Sequence, residues 1–304
     1  MTRTPMGEVP DRVALIKLGG SILTQKRILR GIRHDVLKRL AKELATAAHH
    51  VRLIIVHGGG SFGHPLARVY HLYGGRTRTG PGVVTDKKWH REGASAVQRS
   101  MLRLNAQLIG ALVEEGLPAV SVPGGILVEL EDGDLTDFHP GSITRYLGAG
   151  LVPVTFGDIA SDHHRGLAIV SGDTLVLALA RSIRPDVVVF ATDVDGIYDA
   201  DPTVDKKADL VRSADASKLR RLAAGLTDGS APTDATGGMV HKILELAEIA
   251  DLGIPALVLN GLESGRVESG LCGDPVLGTR ILATEPPVAE GPEEAAARLR
   301  EGSS

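Results

Sequence analysis

The sequence contains one cysteine and no long hydrophobic run. Because Cys272 has no partner within the chain, a small domain held together by disulfides is excluded. No stretch approaches the roughly 20 apolar residues of a membrane-spanning helix, and residues 1–12 lack the apolar segment of a signal peptide. We therefore expect a cytoplasmic protein.

The net charge is also small, and aromatic side chains are few. The 304 residues include 34 Lys plus Arg against 37 Asp plus Glu, a net charge of -3, and 3% aromatics. Such a chain lacks the basic surface and the stacking rings that bind nucleic acids and anionic membranes. We expect neither as a partner. Because only ten of the basic residues are lysines, a lysine inside a glycine-rich segment becomes a candidate for a specific role.

Short apolar runs alternate with longer amphipathic stretches, the pattern of an α/β domain with a mainly parallel sheet. Strands are predicted at Val13–Leu18, Val51–Val56, Ala119–Val122, Leu151–Phe156, Leu167–Val170, Val187–Ala191 and Ala256–Leu259. Helices are predicted at Asp35–Ala48, Trp89–Glu115, Asp173–Arg181, Lys218–Ala224 and Gly238–Asp251. Residues 74–86 are predicted to form a surface loop, and residues 285–304 a flexible tail.

The first predicted strand runs into a glycine loop with two lysines. Its sequence is Lys17-Leu18-Gly19-Gly20-Ser21, and Lys26 follows nine residues after Lys17. Glycines at a strand end let backbone N–H groups approach an anion, while a hydroxyl and two ammonium groups stand nearby. This chemistry suits phosphate binding. The alternative is that Gly19 and Gly20 only permit a tight turn and that Lys17 points to solvent.

The second predicted strand ends in a second glycine loop, HGGGSFGHP at residues 57–65. Gly58, Gly60 and Gly63 match the dinucleotide pattern G-x-G-x-x-G. A nicotinamide site also needs an acidic residue about 20 residues later, at the end of the next strand, but that distance falls in the 74–86 loop. Two facing glycine loops suit phosphoryl transfer between two anions better, and a nicotinamide-binding oxidoreductase stays open as the alternative.

Two further clusters combine glycine with charge. In the segment 171–174, SGDT, Asp173 either caps the following helix or holds lysine ammonium groups in position. In the segment 234–242, DATGGMVHK, a glycine pair opens a helix whose first amides attract anions, and Lys242 lies one turn inside.

Two polar segments resemble metal sites only superficially. In the acidic run 193–202 the glycine takes the fourth place of a calcium loop instead of the sixth, and Val204 takes the place of the twelfth-position Glu. His163 and His164 have no third ligand nearby and are predicted to form a solvated turn. His57 is predicted to be structural, and no metal-binding residue is assigned.

Six ordered motifs together resemble the amino acid kinase superfamily over about residues 12–284. They are KLGGS (17–21), HGGGSFGHP (57–65), GDIASD (157–162), SGDT (171–174), ATDVDGIYDADP (191–202) and DATGGMVHK (234–242). Within the superfamily, Lys26 and His64 resemble the isopentenyl phosphate kinases, and the fosfomycin kinases are the nearest alternative. A nucleotide sensor without turnover is a further alternative, although every charged position of the motifs is filled.

This resemblance implies a three-layer α/β/α sandwich, one domain over residues 1–284, with an acceptor half at about 12–165 and a nucleotide half at 166–284. The implied reaction is phosphorylation of isopentenyl phosphate to isopentenyl diphosphate by ATP, in a homodimer. Mg²⁺ is expected on the nucleotide phosphates instead of in a carboxylate cage. The acceptor is already a phosphate nucleophile, so no general base is expected.

The resemblance also implies roles for individual residues. Lys17, Lys26 and Lys242 would neutralise the two anions, with Lys26 following the transferring phosphoryl group. Asp173 would hold the lysines, and His64 would donate a hydrogen bond to the acceptor phosphate. The residues expected to contact the phosphoryl donor, ATP, are Lys17, Leu18, Gly19, Gly20, Ser21, Gly60, Asp193, Gly238 and Lys242. The residues expected to contact the acceptor, isopentenyl phosphate, are Gly58, Gly59, His64, Val97, Met101 and Gly157.

The chain departs from these kinases where they enclose the prenyl tail. They carry bulky aromatics on the helix after the loop, whereas this chain has small residues between Glu92 and Val97. Val97 and Met101, four residues apart, still give an apolar face. Either the pocket is deeper and admits longer prenyl phosphates, or Trp89 or a loop residue fills the space.

Overall fold

The structure is a computed structural model that describes residues 10–72, 87–200, 205, 207–227 and 238–284. The predicted loop at 74–86, the predicted tail at 285–304 and the glycine-containing segment 234–237 lie outside these residues.

A sheet of eight strands forms the middle layer. In chain order these strands are β1 (Val13–Leu18), β2 (Arg52–His57), β3 (Ala119–Ser121), β6 (Val152–Phe156), β9 (Val187–Thr192), β10 (Ser213–Ala214), β11 (Ala256–Asn260) and β12 (Gly278–Ile281). Their spatial order is β10-β12-β11-β9-β1-β2-β6-β3, and neighbours are parallel except for β11 and β12. The predicted parallel sheet is confirmed.

Helices cover both faces of this sheet. They are α1 (Gly20–Leu23), α2 (His34–Ala47), α3 (Gly60–Val69), α4 (Lys87–Glu114), α5 (Gly141–Gly148), α6 (Gly172–Ile183), α7 (Ala216–Thr227), α8 (Gly238–Asp251) and α9 (Arg266–Cys272). Alternate side chains of β1 enter different cores: Leu15 belongs to the core that includes residues of α6 and α8, and Ile16 belongs to the core that includes residues of α2 and α9. The strand is therefore buried on both faces, as its uninterrupted apolar sequence predicts.

A smaller sheet lies beside the main one, in the order β5-β4-β7-β8. Its strands are β4 (Val128–Glu131), β5 (Asp134–Phe138), β7 (Asp158–Asp162) and β8 (Gly166–Val170). Only the last of these strands, β8, is predicted from the sequence. The strands β4 and β5 do not stand out as apolar runs in the sequence. This sheet is only partly buried, and its strands carry charged side chains at Glu129, Glu131, Asp134 and Asp137.

The strand order indicates the edge of the main sheet at which a ligand is expected to bind. The chain leaves β1 for β2 on one side and returns to β9 on the other. In open α/β sheets, ligands bind beyond the carboxyl ends of the strands where the strand order reverses in this way. Lys17, His57 and Thr192 lie at the carboxyl ends of these three strands.

Candidate active site

Lys17 of β1 forms an ion pair with Asp173 of α6. Ser171 caps α6, since its hydroxyl accepts a hydrogen bond from the Thr174 N–H at 2.9 Å. The alternative in which Asp173 caps the helix is therefore wrong. Lys17 is only 7% exposed, so the two charges meet in a largely dry environment beside the glycine of SGDT.

Lys242 of α8 belongs to the same charged cluster. Burial alone would raise the pKa of Asp173, but Lys17 and Lys242 together lower it below its ordinary value. Burial lowers the pKa of Lys17, the Asp173 carboxylate opposes this, and the charge of Lys242 lowers it further. β1, α6 and α8 thus each contribute one charged side chain to a single cluster, in which two ammonium groups face one carboxylate.

Lys26 reaches the site from an exposed turn. The Gln25 N–H donates to the Gly31 carbonyl at 2.9 Å and closes this turn. Lys26 Nζ lies 2.8 Å from Asp193 Oδ2, and the Ser21 hydroxyl donates to Asp193 Oδ1 at 2.9 Å. Burial would raise the pKa of Asp193, but these two hydrogen bonds outweigh it and lower the pKa. Ser21 and Asp193 were each expected to contact the phosphoryl donor, ATP, and in the structure they bind each other.

The two glycine loops touch through their backbones. A Cβ on Gly20 would lie 2.1 Å from the Gly60 nitrogen, and a Cβ on Gly60 would lie 2.1 Å from Thr24 Oγ1. Gly60 also has a φ of +47°, which side chains rarely adopt. Thr24 joins the loops, because its hydroxyl donates to the Gly20 carbonyl at 2.7 Å and accepts from the Ser61 N–H at 3.0 Å. No other residue type fits at either glycine.

Two glycine amides expected near phosphates have partners within the protein. The Gly19 N–H donates to the Ala191 carbonyl at 2.8 Å, and the Gly58 N–H donates to the Leu18 carbonyl at 2.9 Å. These bonds continue the ladders of β1 with β9 and with β2. The expectation that the Gly19 amide binds a phosphate is thereby corrected. Gly20 and Gly60 begin α1 and α3, where the first amides lack partners within the helix.

The expected acceptor residues lie around α3 and α4. His64 is half-buried in the second turn of α3. Val97 and Met101 are buried in one apolar cluster with Phe62 and Phe156, and a Cβ on Gly59 would lie 2.9 Å from the Met101 sulfur. Gly157 follows β6 directly and packs against the start of α6, where its Cβ would lie 3.1 Å from the Gly172 nitrogen.

The model of the amino acid kinase family matches residues 12–260. This chain belongs to the amino acid kinase family. The isopentenyl phosphate kinase of Methanothermobacter thermautotrophicus is 36% identical over 88% of this chain and 98% of the relative. That of Methanocaldococcus jannaschii is 34% identical over 90% of this chain and 100% of the relative. A solved isopentenyl phosphate kinase structure superposes with a TM-score of 0.76 at 33% identity, covering 89% of this chain and all of that one.

Membership in the amino acid kinase family decides the fold and does not favour the dinucleotide interpretation of the second glycine loop. The three-layer sandwich predicted from the six motifs is confirmed. Gly60 and Gly63 instead lie in the first turn of α3, which packs against α1 and α4, and Gly58 lies just before this helix. The two charged segments rejected as metal sites also bind protein groups: Asp195 Oδ1 accepts from Arg266 at 2.6 Å, and His163 Nε2 lies 3.3 Å from Glu129.

Trp89, considered from the sequence as a residue that fills the pocket, pairs with Tyr70, which was not predicted and which packs against the apolar cluster of this amino acid kinase. Tyr70, at the end of α3, packs directly on α4, where a Cβ on Gly93 would lie 2.4 Å from Tyr70 Cγ. The Tyr70 and Trp89 rings are tilted with centroids 4.7 Å apart. Tyr70 therefore occupies the space that a side chain at position 93 would take. A glycine on the inner face of a long helix is the signal that points to such a close neighbour.

His57 has the structural environment expected for it. It is fully buried and stacks on Phe156 with ring centroids 5.1 Å apart. Nδ1 lies 3.2 Å from the Gly58 carbonyl and Nε2 lies 3.2 Å from Asn105 Nδ2. Burial lowers the pKa of His57 to about 4, so the ring is neutral, donating to Gly58 and accepting from Asn105. His57 thus fixes the start of the second glycine loop.

The described residues form neither a metal cluster nor a membrane-spanning helix. In that part of the chain, no group of three or more His, Cys, Asp or Glu side chains is arranged to hold a metal ion. No helix there is long and apolar enough to cross a bilayer.

Proposed function

We propose that this protein transfers the γ-phosphoryl group of ATP to isopentenyl phosphate and forms isopentenyl diphosphate and ADP. The relatives that bear this activity in their names align over nearly their whole length. The observation that carries the proposal is the meeting of Lys17, Lys242 and Asp173 beside two glycine loops in backbone contact. Such a site can hold two phosphate groups against their mutual repulsion.

The reaction is an in-line displacement. A terminal oxygen of isopentenyl phosphate forms a bond to the γ-phosphorus of ATP, and the bond from that phosphorus to the β,γ-bridging oxygen breaks. The acceptor oxygen is already anionic, so no side chain has to remove a proton. Lys17 and Lys242 neutralise charge on the donor and on the transferring group. Lys26 leaves Asp193 and follows the phosphoryl group during transfer.

The remaining assignments concern positioning. Asp173 holds Lys17, His64 donates a hydrogen bond to the acceptor phosphate, and Val97 and Met101 contact the prenyl group. We place the acceptor in the half formed by residues 12–165 and the nucleotide in residues 166–284. Mg²⁺, when bound, neutralises phosphate charge from a position on the nucleotide. The homodimer and the cytoplasmic setting stay predictions.

Direct detection of product tests the proposal. The protein is incubated with MgATP and one acceptor from a panel of isopentenyl phosphate, geranyl phosphate, fosfomycin and N-acetylglutamate, and phosphorus NMR identifies the product. We expect isopentenyl diphosphate to form fastest. A faster reaction with fosfomycin would replace the acceptor assignment. Thermal stabilisation by NADH but not by MgATP would contradict the kinase assignment as a whole.

A further inference from the structure

A buried carboxyl group without an assigned role lies behind the lysine cluster. Glu245 lies on α8, three residues after Lys242, and is 5% exposed. Its Oε2 atom is buried and has no hydrogen-bond partner among the described residues. Isolated carboxylates are costly to bury, and one that is retained next to a charged cluster calls for an explanation.

The groups that face Glu245 are those of the active site. Asp173 on α6 raises the pKa of Glu245, and Lys17 on β1 and Lys242 on α8 lower it, while Glu248 raises it slightly from the next turn. The charged side chains on the outer surface of α8 pair elsewhere, Glu248 with Arg181 of α6 and Asp251 with Arg220 of α7. Burial has the largest effect and raises the pKa of Glu245 to about 8. The side chain is therefore mainly a neutral acid at pH 7.

The protonation state of Glu245 sets the net charge of the lysine cluster. Lys17 and Lys242 carry two positive charges and Asp173 one negative charge, so with neutral Glu245 the cluster keeps one positive charge. An ionised Glu245 would cancel it. An anionic phosphoryl group is stabilised by the first arrangement and not by the second, and the difference is large where water is excluded.

We propose that Glu245 is a positioning residue for phosphoryl transfer that acts through Lys17 and Lys242. As a neutral acid it leaves both ammonium groups to the transferring phosphoryl group. As a carboxylate it draws them back toward α8. This inference deepens the proposed kinase function and rests on it.

The test compares the pH dependence of kcat in the wild type and in Glu245→Gln, which is neutral at every pH and has the same shape. Product is quantified directly at saturating MgATP and isopentenyl phosphate from about pH 6 to about pH 9.5. We expect wild-type kcat to fall at least about threefold toward the alkaline end of this pH range. This decline is much smaller than the loss in kcat of about 10² to 10³ that follows when a whole cationic contact is removed. Glu245→Gln should lack this decline. Glu248→Gln, on the exposed side of the same helix, is the matched control and should keep it.

The same experiment separates Glu245 from Lys17, whose deprotonation would also lower kcat at high pH. The Glu245 charge raises the pKa of Lys17, so if Lys17 caused the decline, Glu245→Gln would move it to lower pH. That result, or an unchanged pH profile, would overturn the proposal. Circular dichroism and the thermal midpoint of Glu245→Gln at pH 7 show whether this variant folds.

A second readout does not depend on catalysis. An acid whose native pKa is raised from 4.5 to about 8 contributes stability that is present below the first value and lost as the pH rises through the second. The thermal midpoint of the wild type should therefore fall relative to Glu245→Gln between about pH 4.5 and about pH 8. If the midpoints diverge but no acceptor is phosphorylated, the proposed function fails while the buried neutral acid stands. If they stay parallel, Glu245 is not the titrating group and the inference is wrong.

Discussion

The Lys26 ammonium group lies 2.8 Å from Asp193 Oδ2, although 69% of the Lys26 side chain is exposed. Exposed ion pairs contribute about 0 to 1 kcal/mol, so this contact holds the lysine near the site without fixing it there. The buried pair of Lys17 and Asp173 is the opposite case. One lysine of the site can exchange its partner for a phosphate, and the other is held in place.

We expect Lys26→Ala to lower kcat by about 10² to 10³, the usual effect of removing one contact that is made in the transition state. The thermal midpoint should stay within the error of the wild type, because the lost ion pair is exposed. Lys38→Ala, an exposed lysine on α2, is the control and should keep normal turnover. A near-normal kcat for Lys26→Ala would remove the assignment of Lys26 to the transferring group.

The His64 assignment predicts a different kinetic pattern. His64→Ala should lower kcat/KM for isopentenyl phosphate by about 10² to 10³, with little change in the KM for ATP, because the side chain is assigned to the acceptor alone. Initial rates measured while each substrate is varied in turn give both constants. His49→Ala, at an exposed position after α2, is the control. An increase confined to the KM for ATP would place His64 on the donor side.

Asp173 should matter for folding as well as for turnover. Asp173→Ala leaves the Lys17 charge buried beside Lys242, and removal of one partner of a buried ion pair costs about 3 to 5 kcal/mol. Urea titration monitored by circular dichroism measures this loss. Asp35→Asn, at an exposed position in the first turn of α2, should cost less than about 1 kcal/mol. Equal losses in the two variants would show that the Lys17 pair is not significant for stability.

His57 predicts an acid-sensitive step in stability. Its pKa is lowered from 6.5 to about 4 in the native state, so as the pH falls through this interval the unfolded chain takes up a proton before the native chain does. The free energy of unfolding should fall by about 3 kcal/mol over the interval. In His57→Gln the fall should be smaller by that amount, whereas His50→Gln, an exposed histidine, should match the wild type. Parallel pH curves for wild type and His57→Gln would contradict the prediction.

The packing of Tyr70 on Gly93 predicts how long a prenyl group the site accepts. If the ring closes the pocket, the wild type should prefer isopentenyl phosphate to geranyl phosphate, and Tyr70→Ala should shift the ratio of kcat/KM values toward geranyl phosphate by about tenfold. Competition between the two acceptors in one reaction measures the ratio. Tyr146→Ala removes a half-exposed ring on α5 and serves as control. An unchanged ratio in Tyr70→Ala would favour the deeper pocket that the small residues of α4 suggested.

The parts of the site that could be read from the sequence are those that follow buried parallel strands. Lys17 and His57 each end an uninterrupted apolar run, and the carboxyl ends of neighbouring parallel strands meet at one edge. Each of these two strands is followed directly by a glycine loop, so the two loops are expected to be neighbours. The ion pair of Lys17 with Asp173 needed more, because three lysines were possible partners and the packing of α6 selects one.

The parts that could not be read depend on contacts between distant segments. β7, with the sequence DIASD, lacks a regular alternation of apolar and polar residues and is a strand because β4 and β8 flank it. α1 has four residues, too few for a periodic signal. Tyr70 reaches Gly93 from another helix. Glu245 looks like an ordinary surface residue in the sequence LELAE, and it is buried in a fold that packs α8 against α6, α7 and β11.

The central place of β1 also determines the order in which the molecule can form. Val13 at its start donates a hydrogen bond to Asp186, a separation of 173 residues along the chain, whereas β2 follows soon after the two helices α1 and α2. On a ribosome, β1 can pair with β2 early, but its other edge stays unpaired until β9 has emerged. An unpaired apolar edge invites association with other chains. Synthesis that pauses before residue 187 should therefore leave an aggregation-prone intermediate. Asp193, the partner of Lys26, directly follows β9 and is synthesised only after this strand.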